Sequence, residues 1–387
     1  MAKEFKDKIA IIGVGCTKFG DNFDQSYEDM LVEAAFQAFA DARIEPERVE
    51  AAWLATYSPY AGNGKASVSL ADALRLYNKP ITRVENFCAT GTDAFRNAAM
   101  AVAAGVYDVA LVVGVEKLKD RPIRGLAREG AHPYLGDGLT APGIFALAAN
   151  RYFHQFKVDR AALAKVAVKN HHNGSLNPKA HLRINVTEEQ VLNAPLIAWP
   201  FGLYDCCPTT DGAAAAVICR ADMAKQFRDD YVLVKGIGLA VGSGRPWFDQ
   251  NFDYIGFQST RAAAEQAYAM AGIKDPLKEI DLAEVHDCFT WTEITNYEDL
   301  GFCKKGEGAH FIGEGRSALD GDLPVNPSGG LKSFGHPIGA SGVRMIYEVV
   351  TQLRSQAGER QVKGAELGLV HNLGGPGAVA CVVILGR

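Results

Sequence analysis

The sequence predicts an α/β protein made of two halves of related topology. Short apolar segments rich in β-branched residues alternate with segments of helical periodicity, which is the pattern of a sheet covered by helices. The same order of elements begins again near residue 230, and 387 residues are enough for two domains of ordinary size. We therefore expect an N-terminal half over residues 1–230 and a C-terminal half over residues 231–387.

The first half opens with an apolar run over residues 8–14 that ends at Gly15, as a buried strand does. Ser26 and Asp29 then supply an N-cap and an acidic side chain for the first turn of a helix. From about residue 118 to residue 204 the rhythm breaks into shorter pieces that contain Pro, His and Asn, so we expect a loop excursion from the sheet there. The other elements predicted in this half are strands at residues 51–56, 81–87, 108–115 and 211–219 and a helix at residues 93–104.

The second half repeats this outline by element order, although no residue-by-residue repeat is visible. Its predicted elements are strands at residues 232–239, 282–285, 367–371 and 378–385, a helix at residues 259–271, and a loop-to-helix junction at residues 335–350.

Composition and charge exclude several classes of function. The net charge of −5 and the absence of a basic run argue against nucleic-acid binding. The charged N-terminus does not resemble a signal peptide, and no apolar run reaches the length of about 20 residues that a membrane span needs. Eight cysteines without a C-x-x-C pair indicate reduced thiols in a cytoplasmic protein, with no metal site expected.

Cys88 lies where a predicted strand ends and a predicted helix begins. A thiol near the positive end of a helix dipole has a lowered pKa, and Gly91 would permit a sharp turn that exposes it. This placement suits a nucleophile. A buried cysteine that fills the corner between strand and helix is an equally good interpretation from this feature alone.

His336 occupies the corresponding junction of the second half, within a segment rich in glycine and proline. Pro337 after it fixes φ and has no N–H, as is common in a first helical turn. A histidine held on such a loop is favoured as a general base or oxyanion donor over a structural role. If the halves pack with a pseudo-twofold relation, Cys88 and His336 face each other, and the thiol can give its proton to the imidazole.

Four segments in order along nearly the whole chain resemble the thiolase superfamily, and most closely its sterol carrier protein x and archaeal thiolase subgroup. They are Asn86-Phe-Cys-Ala-Thr-Gly91, His286-Asp-Cys-Phe289, Gly335-His-Pro-Ile-Gly-Ala-Ser-Gly342 and Gly374-Gly-Pro-Gly377. The resemblance implies the thiolase fold, in which two βαβαβαββ halves form five layers in the order αβαβα.

The resemblance also implies roles for single residues. Cys88 would carry the acyl group as a thioester, and His336 would activate it and help to hold the thioester oxygen. A second oxyanion hole would be formed by the backbone of Cys88 and the turn at Leu373, Gly374 and Gly375, where glycine lets the backbone approach the oxygen.

A second acid/base group is required because Claisen condensation removes a proton from the α-carbon of an acyl-CoA. Many thiolases use a cysteine near the C-terminus, but here the corresponding stretch begins at His371 and contains no cysteine. The resemblance therefore points to Cys288 as the acid/base, with His371 as the runner-up. His286 would replace the asparagine that elsewhere orients a water in the oxyanion hole.

The resemblance implies coenzyme A as a co-substrate and no permanently bound cofactor. Acetoacetyl-CoA is the default substrate, but a branched, sterol-derived or aryl-substituted 3-oxoacyl-CoA, such as benzoylsuccinyl-CoA, would fit the same catalytic set. The residues expected to contact substrate or CoA are His132, Ser333, Gly335, Phe289 and Trp291.

Three functions stay open from the sequence. The leading one is a thiolase that makes or cleaves the carbon–carbon bond of a 3-oxoacyl-CoA. A retro-aldolase on the same fold would not need the thiolate nucleophile, and a noncatalytic lipid-binding protein would need none of these residues together. The resemblance further implies a homodimer and a separate small subunit with a zinc ribbon and an OB-fold.

Overall fold

The computed structural model describes residues 5–57, 66–120, 140–243 and 252–387. The elements up to residue 230 are β1 (Ile9–Cys16), α1 (Tyr27–Ala42), β2 (Ala51–Ala55), α2 (Val68–Leu74), β3 (Ile81–Val84), α3 (Thr90–Ala103), β4 (Val109–Glu116), α4 (Ala141–Phe156), α5 (Arg160–Ser175), α6 (Glu188–Leu192), β5 (Leu196–Ala198), β6 (Phe201–Gly202) and β7 (Gly212–Arg220). The later elements are β8 (Val232–Val241), α7 (Gln258–Ala271), α8 (Pro276–Glu279), β9 (Leu282–Glu284), α9 (Thr290–Asp299), α10 (Gly308–Gly313), α11 (Gly330–Ser333), α12 (Ile338–Leu353), β10 (Leu367–Gly374) and β11 (Val379–Gly386).

The strands of the described residues show the duplication directly. They form one nine-stranded sheet in the order β3-β2-β4-β7-β1-β8-β11-β10-β9, and β5 pairs with β6 separately. From the centre of the sheet outward, the first half has the order β1, β7, β4 and β2, and the second half has the equivalent order β8, β11, β10 and β9. The third strand of the second half is reduced to one parallel bridge between Ala283 and Val325, which matches the parallel pairing of β2 with β3. The proposed boundary at residue 230 falls between β7 and β8 and stays a prediction.

The two halves meet at their first strands. β1 and β8 pair antiparallel through only two residues on each side, with Ala10 opposite Leu233 and Ile11 opposite Val232. An antiparallel pair of equivalent strands is what a pseudo-twofold axis between the halves requires.

Helices divide into outer and central layers. α1 packs on β1, β7 and β4, and α7 packs on β8 and β11, so each covers the outer face of one half. α3 and α12 pack against each other and contact strands of both halves. Alternate residues of β1 serve different layers: Ala10 and Ile12 pack with α1, whereas Ile9 and Ile11 belong to the other core. The result is the predicted five-layer order.

The excursion is more regular than the sequence indicated, because α4 and α5 are helices of 16 residues each. Thr140 and Asp159 cap their N-termini with side-chain oxygens. The polar residues of α5 that suggested irregular structure are buried and bonded to other elements: the Asn170 amide donates to Asp287 at 2.8 Å, and the Asn173 amide donates to the carbonyl of Asn326 at 2.9 Å. Tertiary partners thus satisfy groups that disfavour an isolated helix.

Each of the eight cysteines is free. Within the residues that the structure describes, no helix is both long and apolar enough to cross a membrane.

Candidate active site

The turn that carries Cys88 connects β3 to α3. It is tight: the N–H of Ala89 donates to the carbonyl of Asn86 and the N–H of Thr90 donates to that of Phe87, each at 3.1 Å. Phe87 has a φ of 50°, in the left-handed region that a non-glycine residue rarely adopts. The sharp turn therefore depends on the left-handed conformation of Phe87. The sequence-based expectation that Gly91 permits the turn is wrong. The Cys88 side chain is left half-buried at the start of α3.

Gly91 instead allows α3 and α12 to cross at close range. A Cβ atom on Gly91 would lie 2.9 Å from the carbonyl oxygen of Gly339, and a Cβ atom on Gly342 would lie 2.4 Å from the backbone nitrogen of Thr92. Glycine at these positions lets the two helices approach backbone to backbone. The approach brings the two junctions together, so that residues before the two helices can react with one another.

His336 lies directly before α12, with Pro337 at the N-cap and Gly335 at a φ of 112°. Its Nδ1 atom is 2.7 Å from the Ser341 hydroxyl, and that hydroxyl donates to the carbonyl of Pro337 at 2.9 Å. A hydroxyl has one proton, so it must accept a hydrogen bond from Nδ1–H. Nε2 of His336 is therefore unprotonated, and it is buried without a hydrogen-bond partner. This is the state a general base needs.

Cys88, His286 and His336 form the centre of the site. One thiol sulfur and one nitrogen from each ring lie within 4.8 Å of one another. The two imidazole rings meet edge to face, with centroids 5.3 Å apart. The structure therefore brings the predicted nucleophile and the predicted base together with His286. These donors are also of a kind that zinc uses.

The cluster is neutral at rest. Burial raises the pKa of the Cys88 thiol to about 12, and backbone N–H groups of Gly375 and Cys88 itself oppose that rise. Burial, with a contribution from Arg344, lowers the pKa of His336 to about 3, and burial lowers that of His286 well below its usual value. The expected lowering of the Cys88 pKa by the helix dipole is wrong, because desolvation outweighs it. Thiolate and imidazolium form only as a proton passes between them.

The predicted oxyanion turn lies against the Cys88 turn. A Cβ atom on Gly374 would lie 2.7 Å from the carbonyl oxygen of Asn86, and Gly375 has a φ of 55°. The backbone N–H of Gly375 lowers the pKa of the Cys88 thiol and so opposes the effect of burial. Leu373 is fully buried and contributes packing through its side chain. The backbone of this turn therefore packs directly against the turn that carries the nucleophile.

The two candidates for the second acid/base are placed differently. Cys288 is buried, its sulfur is 4.0 Å from the Thr292 hydroxyl, and it stays outside the group of donors within mutual reach. Burial, and then the neighbouring Cys207 and Cys88 thiols, raise its pKa well above the usual value. Cys288 therefore stays protonated more readily than an exposed thiol does, and its role as the second acid/base stays a prediction.

His371 lies behind His286. Its Nδ1 accepts the backbone N–H of His286 at 3.5 Å, so its Nε2 carries the proton and donates to the Thr260 hydroxyl at 3.1 Å. Both ring nitrogens are engaged, and the side chain is fully buried. The structure gives His371 a place from which it supports His286, and does not bring it to Cys88.

The residues predicted to contact substrate or CoA are mostly sealed. His132 lies outside the described residues. Ser333 is fully buried and its hydroxyl donates to the carbonyl of Leu182, while Gly335 packs on Thr210. Phe289 stacks on Phe201 with centroids 5.0 Å apart, and Trp291 is fully buried. Ser333, Gly335, Phe289 and Trp291 are buried within the packed protein, and their contacts with substrate or CoA stay predictions.

Several residues of the site were missed by the sequence reasoning. Ser341 fixes the tautomer of His336, and Glu116 accepts the N–H of Gly339 at 2.9 Å, which anchors the start of α12. Asp287 accepts the N–H of Leu331 at 2.6 Å and thereby ties the His286 segment to α11. Ser341 lies inside the glycine-rich motif of residues 335–342, and Glu116 is a charged residue that ends an otherwise apolar strand. Both signals were available.

Comparisons with known proteins agree with this geometry. Residues 9–222 match the thiolase N-terminal domain and residues 243–387 match the thiolase C-terminal domain-like model. An acetyl-CoA acetyltransferase of Methanothermobacter thermautotrophicus is 42% identical over 384 residues, which cover 98% of this chain and 99% of that protein. The benzoylsuccinyl-CoA thiolase subunit BbsB of Thauera aromatica is 33% identical over 377 residues, which cover 95% of each.

A solved structure described as an Ltp2-ChsH2(DUF35) aldolase superposes with a TM-score of 0.88 at 26% identity and covers 99% of this chain and 98% of that one. The fold and the family that the sequence motifs predicted are confirmed. With both family models matched in order and a full-length relative above two-fifths identity, the chain belongs to the thiolase family.

Proposed function

We propose that this thiolase makes or cleaves the carbon–carbon bond of a 3-oxoacyl-CoA through a thioester on Cys88. The observation that carries the proposal is the cluster of Cys88, His286 and His336, whose thiol sulfur and ring nitrogens lie within 4.8 Å of one another. Its reaction class is that of the acetyl-CoA acetyltransferase to which it is 42% identical. A protein that only binds lipid has no need of such a cluster.

In the cleavage direction the Cys88 sulfur attacks the 3-oxo carbon while its proton passes to Nε2 of His336. The N–H groups of Gly375 and Cys88 stabilise the oxyanion that forms. When the oxyanion collapses, the bond between C2 and C3 breaks and its electron pair stays on C2 of the departing acyl-CoA, which takes a proton. The thiol of CoA then attacks the thioester, and Cys88 leaves as the free thiol.

We propose Cys288 as the acid that protonates C2, with His371 as the alternative. A thiol whose pKa is raised stays protonated, which suits a proton donor in cleavage. Exchange of the C2 protons of acetyl-CoA with deuterium isolates this step from acyl transfer. We expect Cys288→Ala to abolish the exchange while Cys88 is still acetylated; normal exchange in that variant together with loss in His371→Gln would reverse the assignment.

Intact-protein mass spectrometry after brief exposure to acetyl-CoA tests the main proposal. We expect a mass increase of one acetyl group in the wild type and none in Cys88→Ser. Cys381→Ser, which alters a fully buried thiol of β11, is the matched control and should retain the adduct. An adduct that persists in Cys88→Ser, or none with acetyl-, succinyl- and benzoyl-CoA, contradicts the proposal.

A retro-aldolase is the second candidate, favoured by the similarity to the aldolase structure at 26% identity. Aldol cleavage produces a carbonyl compound and an acyl-CoA without a covalent thioester. Carbon–carbon bond cleavage by the Cys88→Ser variant distinguishes the two functions. An aldolase would keep this activity in the variant, whereas a thiolase would lose it.

We further propose a cytoplasmic homodimer that works with a separate zinc-ribbon and OB-fold subunit. The similarity to a thiolase subunit and to a structure whose description includes a DUF35 component supports a second chain. Size-exclusion chromatography with light scattering, with and without a co-expressed small subunit, measures both associations. The substrate remains open between acetoacetyl-CoA and the branched, sterol-derived and aryl-substituted alternatives, including benzoylsuccinyl-CoA.

A further inference from the structure

Lys332 is a buried lysine whose ammonium group lacks a contact partner. It lies on α11, four residues before His336, and is only 2% exposed. Across the described part of the chain, its ammonium makes no hydrogen bond or ion pair. Burying a charge without a compensating contact is costly, so such a group is retained where something else supplies the contact.

The second buried lysine of this region shows the usual solution. Lys169 on α5 is 9% exposed, and its ammonium pairs with Glu293 at 2.9 Å and also contacts the amide oxygen of Asn170 at 2.7 Å. Lys169 is therefore neutralised within the fold. Lys332 is tied to the same group of residues, because its backbone N–H and the Asn170 amide both donate to Asp287, but its ammonium is not neutralised in this way.

The carboxylates near Lys332 are occupied by other donors. Asp287 accepts from the N–H of Leu331 at 2.6 Å and from the amide of Asn170 at 2.8 Å. Asp205 accepts from the N–H of Gly202 at 2.8 Å and from the hydroxyl of Thr290 at 2.7 Å. Both act on Lys332 through space and oppose the lowering of its pKa by burial. They favour the charged ammonium but leave its donors free.

Lys332 and Cys207 both contact the segment that follows His286. The N–H of Cys207 donates to the carbonyl of Cys288 at 2.9 Å, beside the residue that binds the backbone N–H of Lys332. Cys207 interacts electrostatically with both Lys332 and Cys88. Cys88, Cys206 and Cys207 are half-buried, whereas Cys288 is 7% exposed. Backbone contacts thus place both Cys207 and Lys332 against the segment that carries His286, which belongs to the cluster with Cys88.

We propose that Lys332 binds a carboxylate on the acyl chain of the CoA thioester, so that the preferred substrates contain a dicarboxylic acyl group. This inference rests on the proposed thiolase function and specifies its substrate class. The ammonium would form a charge-assisted hydrogen bond with the ligand carboxylate in a site of low dielectric, where such bonds are strong. Lys332 would be a specificity residue, remote from the carbon that reacts with Cys88.

Ligand binding to a variant that lacks the nucleophilic thiol tests this inference. In Cys88→Ala, isothermal titration calorimetry would compare succinyl-CoA with 4-methylpentanoyl-CoA, whose acyl chain has the same shape but ends in two methyl groups. We expect succinyl-CoA to bind at least about tenfold more tightly, and the preference to fall below about threefold when Lys332→Met is added. Lys278→Met, at a lysine that is 80% exposed, is the matched control and should keep the preference.

Equal affinities in Cys88→Ala, tighter binding of the apolar thioester, or no binding of succinyl-CoA would each overturn the inference, whether or not Lys332→Met folds. A preference that survives in a folded Lys332→Met protein would overturn it too. Because binding is measured without the nucleophile, these results are independent of catalysis. Failure of the proposed function would appear separately, as absence of an acetyl adduct on Cys88 in the protein that retains its thiol.

Discussion

The two strand-to-helix junctions of this thiolase have equivalent places in the duplicated fold but opposite surroundings. The Cys88 junction is strained at Phe87 and half-open, and Phe87 itself is 44% exposed. The His336 junction turns at a glycine and is buried, with His336 only 6% exposed. The same topology therefore leaves one junction partly exposed and buries the other. Chemistry in this fold is decided by local burial and not by position in the repeat.

The largest expected effect comes from removing the base of the buried junction. His336→Asn keeps the polarity of the side chain but cannot take the Cys88 proton, so we expect the rate of Cys88 acetylation to fall roughly 10³-fold. Quenched-flow mass spectrometry of the acetyl adduct measures this rate.

His310→Asn, on the exposed surface of α10, is the matched control and should acetylate at the wild-type rate. Acetylation within about tenfold of the wild type in His336→Asn would mean that another group, with His286 the nearest, accepts the proton.

The second effect concerns the glycines that bring the junctions together. In Gly342→Ala the added Cβ would lie 2.3 Å from the Asn372 side chain and 2.4 Å from the Thr92 nitrogen. Since neither α3 nor β10 can move freely, we expect the free energy of unfolding to drop by about 1–3 kcal/mol. Urea denaturation followed by circular dichroism measures the change.

Gly242→Ala tests the same substitution in open space. Gly242 is exposed, and the nearest atoms to an added Cβ lie 3.8 Å away. The free energy of unfolding of the Gly242→Ala variant should stay within about 0.5 kcal/mol of the wild-type value. Equal effects at both glycines would show that the helix crossing is not tightly packed.

The contrast between the junctions also separates what sequence could predict from what it could not. Periodicity was sufficient for the order of strands and helices, and the motifs were sufficient to place Cys88 and His336 at the starts of helices, because these features depend on local pattern. The catalytic roles of the two residues stay predictions. The left-handed Phe87, the helices of the excursion and the tautomer fixed by Ser341 depend on contacts across the fold. Lys332 was overlooked for the same reason: its side chain is notable only once its burial is known.

The last expected effect is a pH dependence of stability, in which the His336 junction sets the acid slope and the Cys88 junction sets the alkaline slope. The folded chain holds His336 neutral, with a pKa lowered from 6.5 to about 3. The unfolded chain binds more protons between these values, so the stabilisation is present above pH 6.5 and is lost as the pH falls, by up to about 1.4 kcal/mol per pH unit for this histidine. Cys88 has the opposite sign: its pKa is raised from 9.0 to about 12, so its contribution is present below pH 9 and is lost as the pH rises.

Urea titrations from pH 5 to pH 10 would measure how the free energy of unfolding changes on the acid side and on the alkaline side. His336→Asn should reduce the acid slope and leave the alkaline slope unchanged, because it removes one imidazole that is buried neutral. Cys88→Ala should do the reverse. The remaining acid slope in His336→Asn then belongs to His286 and His371, whose pKa values are lowered by burial as well. If instead both variants changed the same slope, the two junctions would titrate as a single unit, and their separation into an open and a buried site would not hold in solution.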